Sequence, residues 1–312
     1  MSGKVALRDI FGDTLVELGR KNQDVVVLDA DVSGSTRTSK FGAAFPERFF
    51  NVGIAEQNMM NIAAGLATCG KIPFVSSFSF LLCLRAGDQL RTSIAYPRLN
   101  VKVGAGYGGM SDSFDGPTHH TLCDIAIARS MANMTVVVVS DPVQTRWATE
   151  AVAEFDGPVY LRLSRAEVPT VYDESTPFSL GKGVQLRDGG DLTFVSSGVL
   201  LSRVLEAAEN LASQGIDARV IDIHTVKPID RELLVKAAKE TGAIVTVEEH
   251  NIMGGVGSAV AEVLVKEAPV PLEFVGVKDM YTESGPYEAL LDKYGMSVAD
   301  IEAAAKMVLK RK

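Results

Sequence analysis

FFNVGIAEQNMMNIAAGLATCGKIPFVSSFSF (residues 49–80) sets a carboxylate, Glu56, at the head of an almost wholly apolar stretch. After Asn58 come Met59, Met60, Ile62, Ala63, Ala64, Leu66 and Ala67, which leaves scarcely a polar stripe. A helix that is hydrophobic nearly all round belongs in an interior, so this segment predicts a core helix over residues 56–70. The run KIPFVSS (71–77) follows directly and reads as a buried strand. A charge at the start of such a helix is costly unless it is paired or used. An acid in a first helical turn also interacts well with the helix dipole, so Glu56 taken alone carries either meaning.

The same alternation runs outward in both directions. DVVVLDA, NVKVGA, MTVVVVS and PVYLRLS read as further buried parallel strands. Helical patterns near residues 5–22, 80–95, 122–132 and 143–155 separate them. A second series begins at DLTFVSSG and continues through a helix near 199–214, ARVIDI, a helix near 230–241, AIVTVEEH and a helix near 256–267. Between the series lies a Pro-, Gly- and Asp-rich stretch of limited regularity. The expected architecture is α/β with two domains, residues 1–170 and 191–312, joined by a linker over 171–190.

Composition narrows the classes. The 312 residues suffice for two domains, and 46% of them are hydrophobic. Mean hydropathy is +0.14, which suits a chain that buries further surface against partner subunits. A net charge of −8 and a pI near 5.2 argue against nucleic-acid or anionic-membrane binding; the basic end KMVLKRK reads as a solvated helix terminus. No apolar run approaches the roughly 20 residues of a membrane span. The opening MSGKVALRDIFGDT lacks the apolar segment of a secretory signal. Cys69, Cys83 and Cys123 are odd in number without metal spacing, and read as reduced core thiols of a cytoplasmic protein.

Ligands of open α/β sheets collect beyond the carboxyl ends of strands. Those ends carry DADVSGST, NVGIAEQ, SSFSF, GAGYGGMSDSFDGPTHH and SRAEVP in the first domain, which is therefore the one with chemistry. GAGYGG (104–109) matches a dinucleotide fingerprint formally, but a loop follows it where phosphate binding needs a helix. GGVG (254–257) precedes a helix and reads as close packing of helix on sheet. SFDGPTHH (113–120) forces a tight turn that brings Asp115, His119 and His120 close together. Adjacent histidines point apart and lack metal spacing, and Asp115 could simply cap its own turn.

VGIAEQNMMNIAAGLA, DGPTHH, VSDPVQT, VYLRLSR and HTVKPID together resemble the C-terminal half of a transketolase. The whole chain is similar to the small subunit of split transketolases, in which two genes share one polypeptide. This implies a thiamine-diphosphate pyrimidine-binding domain with a mainly parallel sheet, then the transketolase C-terminal domain. The family holds Mg²⁺ or Ca²⁺ and the diphosphate on a Gly-Asp-Gly motif, which this sequence lacks; Gly12-Asp13 and Gly87-Asp88 have no second glycine. The resemblance therefore implies that a large subunit supplies the metal site, that an α2β2 assembly forms, and that this chain alone is inactive.

The resemblance also implies roles. The residue matching Glu56 hydrogen-bonds a ring nitrogen of the aminopyrimidine and so promotes deprotonation of the cofactor, whose own carbon chemistry does the rest. Glu56 must then carry a proton; burial favours the neutral acid, the helix N-terminus opposes it, and burial is expected to prevail. Asp31, Phe78, Phe80, Leu82 and Arg85 match cofactor-side positions, with Leu82 where relatives carry an aromatic; simple core packing is the alternative for the two phenylalanines. Asp115 and His119 match contacts to the hydroxyl and carbonyl groups of a ketose donor. Arg8, Ser35 and Arg165 match positions receiving a sugar phosphate, with surface ion pairs as the alternative for the arginines. Tyr107 stands where relatives place a phosphate-contacting His, and His120 where Gln is common, so an unusual anion is open beside ordinary pentose phosphates. His224 and His250 are expected to be buried and structural.

The reading that follows is an enzyme subunit moving a two-carbon ketol unit from ketose to aldose. A 2-oxo acid dehydrogenase β-type subunit, a deoxyxylulose-phosphate-synthase-like subunit and a non-catalytic scaffold remain as alternatives.

Overall fold

The computed structural model describes residues 3–312. Its first sheet has seven strands, in the order Thr225–Lys227, Thr135–Val138, Val159–Arg162, Lys102–Gly106, Ile72–Phe78, Val25–Asp29 and Phe49–Asn51. All neighbours are parallel except Thr225–Lys227, which runs antiparallel to Thr135–Val138. Strand Val25–Asp29 is buried at every residue, as a parallel strand covered on both faces must be. Its alternate side chains serve two cores. Val25 and Val27 meet Phe11 and Leu15 of helix Leu7–Lys21 and Val152 of helix Pro142–Glu154. Val26 and Leu28 meet Met59, Met60 and Ala63 of helix Glu56–Thr68.

The second sheet orders Leu272–Val277, Ile244–Asn251, Leu192–Ser197, Ala218–Asp222 and Val184–Arg187, the last antiparallel to its neighbour. Helices Leu201–Ser213 and Val298–Leu309 cover one face. Helices Arg231–Thr241 and Val256–Glu267 cover the other, and their core is continuous with that around Met59 and Met60.

Four expectations need amendment. Helix Glu56–Thr68 is not enclosed, because Gln57, Asn58, Asn61 and Gly65 are exposed and only one face packs on the sheet. The helix expected over 80–95 is broken into two wide turns, Leu81–Arg85 and Leu90–Ala95, around Gly87–Gln89. Their backbone donors reach back five residues, Ala86 N–H to Leu81 O at 2.9 Å and Tyr96 N–H to Arg91 O at 2.8 Å, the widened hydrogen bonding that often marks functional sites. The linker over 171–190 contains strand Val184–Arg187, an edge of the second sheet. Cys69 is exposed, not a core thiol, since it follows the last turn of its helix; Cys83 is buried and Cys123 half-buried.

The domains interlock. Thr225–Lys227 leaves the second domain to edge the first sheet. Asp141 caps helix Pro142–Glu154 through the Gln144 N–H at 2.7 Å, and also accepts the Val171 and Tyr172 N–H groups, each at 2.8 Å. Asp222, fully buried, accepts from Gln144 Nε2 at 2.7 Å and the Tyr172 hydroxyl at 2.6 Å. Removing the carboxylate strands two buried donors. Asp222→Ala is therefore expected to destabilise the protein by about 2–4 kcal/mol, read as a lowered thermal midpoint; an unchanged midpoint would remove Asp222 from this role.

Candidate active site

Glu56 opens its helix without a side-chain cap and is 2% exposed. Its Oε2 faces Arg85 Nη1 at 3.3 Å, and Gln57 Nε2 donates to the Arg85 carbonyl at 3.1 Å. The wide turn at Leu81–Arg85 thus aims a half-exposed guanidinium at a buried acid. The acid and the guanidinium thus form an ion pair with one buried and one half-exposed partner.

An aromatic wall stands at the carboxyl ends of the strands. Phe78, at the end of strand Ile72–Phe78, lies 4.4 Å from Tyr107 and 6.3 Å from Phe80 between ring centroids. Phe80 meets His119 edge-on at 5.0 Å. Leu82 is fully buried in the main core beside Cys83 and Ala86, because the widened turn points it inward. Asp31 is exposed in a left-handed conformation, φ 64°, and its carboxylate accepts from Asn51 Nδ2 at 3.0 Å.

The SFDGPTHH turn behaves as its sequence suggests. Gly116 adopts φ 82°, and the Asp115 and Gly116 N–H groups both donate to the Asp112 carbonyl. Ligand-capable atoms of Asp112, Asp115 and His119 lie within 4.8 Å of one another. His120 turns away, its Nδ1 within 2.6 Å of the Thr282 hydroxyl, and burial lowers its basicity. Asp112 was missed by sequence reading. It is 1% exposed, its Oδ1 accepts from Arg165 Nη1 at 2.6 Å, and its Oδ2 is buried without a partner. Burial and then the neighbouring Asp115 push its carboxyl up, while Arg165 opposes them.

Tyr107 occupies the centre. It is buried, with φ 62°, and its hydroxyl accepts from Arg8 Nη1 at 2.5 Å. The guanidinium carbons of Arg8 and Arg165 lie 5.6 and 5.3 Å from its ring centroid. Ser35 joins through its backbone: its carbonyl accepts from Arg8 Nη1 at 3.1 Å. All four residues placed around a sugar anion are therefore in one cluster.

The glycines around Tyr107 have a cause no local pattern could reveal. A Cβ on Gly108 would strike the Arg162 guanidinium, and one on Gly109 (φ 69°) would overlap the Glu249 carboxyl group. Glu249 comes from the second domain, and its Oε1 accepts the Met110 N–H at 2.7 Å. Arg162 Nε donates to Asp124 Oδ2 at 2.8 Å, and its Nη2 donates to the carbonyls of Thr121 and Glu249 at 3.3 and 3.0 Å. The second-domain histidines are buried as expected, His224 against the Thr225 hydroxyl and His250 against the Asn251 carbonyl.

Residues 3–170 match the family model "Transketolase, pyrimidine binding domain", and residues 181–301 match "Transketolase, C-terminal domain". A "Putative transketolase C-terminal section" from Methanocaldococcus jannaschii is 44% identical, with 97% of this chain and 95% of that protein covered. A "6-deoxy-6-sulfo-D-fructose transketolase subunit" from Clostridium sp. is 42% identical over 98% of this chain and 95% of its own length. A solved structure titled "Split gene transketolase, inactive beta4 tetramer" is 49% identical, with TM-score 0.92, 99% of this chain and 100% of that chain covered.

Burial, partly opposed by Arg162, lifts the Glu249 carboxyl to about 7. A carboxyl raised on folding contributes stability that is complete below its unfolded value near 4.5 and is lost as pH rises through about 7. Glu249→Gln keeps an acceptor for Met110 but cannot ionise. Its stability relative to wild type is expected to improve between pH 5 and pH 8, by on the order of 3 kcal/mol at 1.36 kcal/mol per pH unit. Thermal melts across that range check this, and a constant difference would show that Glu249 does not titrate there.

Proposed function

The chain belongs to the transketolase family as the C-terminal subunit of a split transketolase, and from this premise we propose that it completes a thiamine-diphosphate-dependent ketol-transfer site with a separate large subunit. The observation that carries the reading is Glu56, withdrawn from water while Ile54, Gln57 and Leu84 around it are exposed. A buried acid set in an apolar surface is suited to being covered by another protein and an uncharged ring. The large subunit then brings Mg²⁺ or Ca²⁺ and the diphosphate contacts. A two-fold α2β2 assembly is the natural symmetry. The three unbridged cysteines agree with a reducing, cytoplasmic setting.

Thiamine diphosphate supplies the carbanion chemistry of cleaving and forming carbon–carbon bonds beside a carbonyl. This chain would hold its pyrimidine end with Glu56, Phe78 and Phe80, with Asp31 and Arg85 nearby and Leu82 backing the loop from the core. Glu56 would hydrogen-bond a ring nitrogen of the pyrimidine, and Arg85, which is half-exposed, has room to turn away from it. His119 and Asp115 bind and orient the hydroxyl and carbonyl groups of the ketose. Arg8, Ser35, Tyr107 and Arg165 hold the anion at the far end of the sugar.

Mixing this chain with its large subunit is expected to give turnover with ketose donors but not with pyruvate, and neither subunit alone should be active. Glu56→Ala should lower turnover of the complex at least about 100-fold while leaving assembly, followed by sedimentation, unchanged. Turnover by this chain alone, or an active Glu56→Ala complex, would sink the reading.

A further inference from the structure

Charge counting around Tyr107 deepens that reading. Three arginines lie near the subsite for the far end of the sugar, and two are already answered. Arg165 is paired with Asp112 at 2.6 Å, and Arg37 with Asp9 at 2.7 Å. Among the described residues Arg8 meets no carboxylate. Its Nη1 is spent on the Tyr107 hydroxyl and the Ser35 carbonyl, and its Nε is buried without a partner. Tyr107 accepts from Arg8, which leaves its own proton to give away; the nearest acceptor, the Ser35 carbonyl, is 3.5 Å off. Tyr107 cannot add charge near neutral pH. The remaining titratable groups at this end, Asp115 and His119, sit on the Asp112 side of the cluster.

We propose that this subsite offers one unanswered cation, Arg8, and with Tyr107 and the Asp112–Arg165 pair selects a monoanionic tetrahedral end group over a dianionic phosphate. The inference rests on the ketol-transfer reading for its substrates. A sulfonate is the stable monoanion of that shape. A phosphate monoester meets the same requirement only when it keeps a proton, below its second ionisation near pH 6. At higher pH the second charge enters a site with a single uncompensated cation, beside the Asp112 carboxylate. Asp112 is then a specificity-determining residue: it contacts no substrate but cancels the cation that would answer the second charge.

The test uses the reconstituted two-subunit enzyme at pH 8 and one ketohexose with three ends: sulfonate, phosphate and plain hydroxyl. The sulfonate is expected to exceed the phosphate at least tenfold in kcat/KM, with the hydroxyl lowest. Asp112→Asn, which leaves Arg165 uncompensated, should raise the phosphate relative to the sulfonate at least tenfold. Should that variant not fold, Tyr107→His compared with wild type at the same pH 6, where the ring adds charge, should shift the ratio the same way. Phosphate equal to or better than sulfonate at pH 8, or a ratio unmoved by either variant, overturns the proposal. If no ketose turns over, the ketol-transfer reading fails, and calorimetric binding of the same sulfonate and phosphate sugars to the complex still decides the charge preference.

Discussion

Arg162 is the interaction on which the site depends. It lies at the end of a central strand, buried, with its guanidinium shared among Asp124, the Thr121 carbonyl and the Glu249 carbonyl. Those three partners belong to the helix after the Gly116 turn, to the residue that follows that turn and to the second domain. Taking a charged pair out of water costs several kcal/mol and is recovered only when geometry is good and the remaining donors are satisfied. Here Arg162 spends donors on carbonyls in two domains. The expense goes into fixing one arrangement of the loop between strand Lys102–Gly106 and helix Asp124–Ser130.

That arrangement explains why the loop looks as it does. Gly108 and Gly109 leave room for Arg162 and Glu249 to press against the backbone. The chain then turns so that Tyr107, held at positive φ, sits between Arg8 and Arg165 and stacks near Phe78. A non-glycine residue in that conformation is held by its surroundings, and here they are two cations and an aromatic face. The second domain is thus more than a platform. Through Glu249 it sets the backbone of a segment whose side chains belong to the first domain's site.

Much of this was legible in the sequence because it is local or periodic. Alternate faces of Val25–Asp29 serve different cores, so the strand had to read as an unbroken apolar run. Gly116 and Pro117 announce a turn, and the turn brings Asp115 to His119. Short edge strands were illegible because they lack a two-sided core: Val184–Arg187 is only partly buried, and Thr225–Lys227 owes its pairing to a different domain. Strand Leu272–Val277, at the edge of the second sheet, and the short helix Tyr287–Lys293 were also overlooked. Asp112 and Glu249 escaped because their importance lies in partners 53 and 139 residues away. The apolar character of helix Glu56–Thr68 was seen but misassigned to the interior, since composition records how apolar a face is and not what covers it.

Glu56 and Arg85 make the final link between the isolated chain and its assembly. Glu56 opens its helix 2% exposed, and its Oε2 meets the half-exposed Arg85 guanidinium at 3.3 Å. A buried acid is tolerated where a cation answers it, and here the cation comes from the widened turn at Leu81–Arg85. Under the proposed function this pair lies on the surface that a large subunit and the pyrimidine ring would cover, and this chain forms it without either.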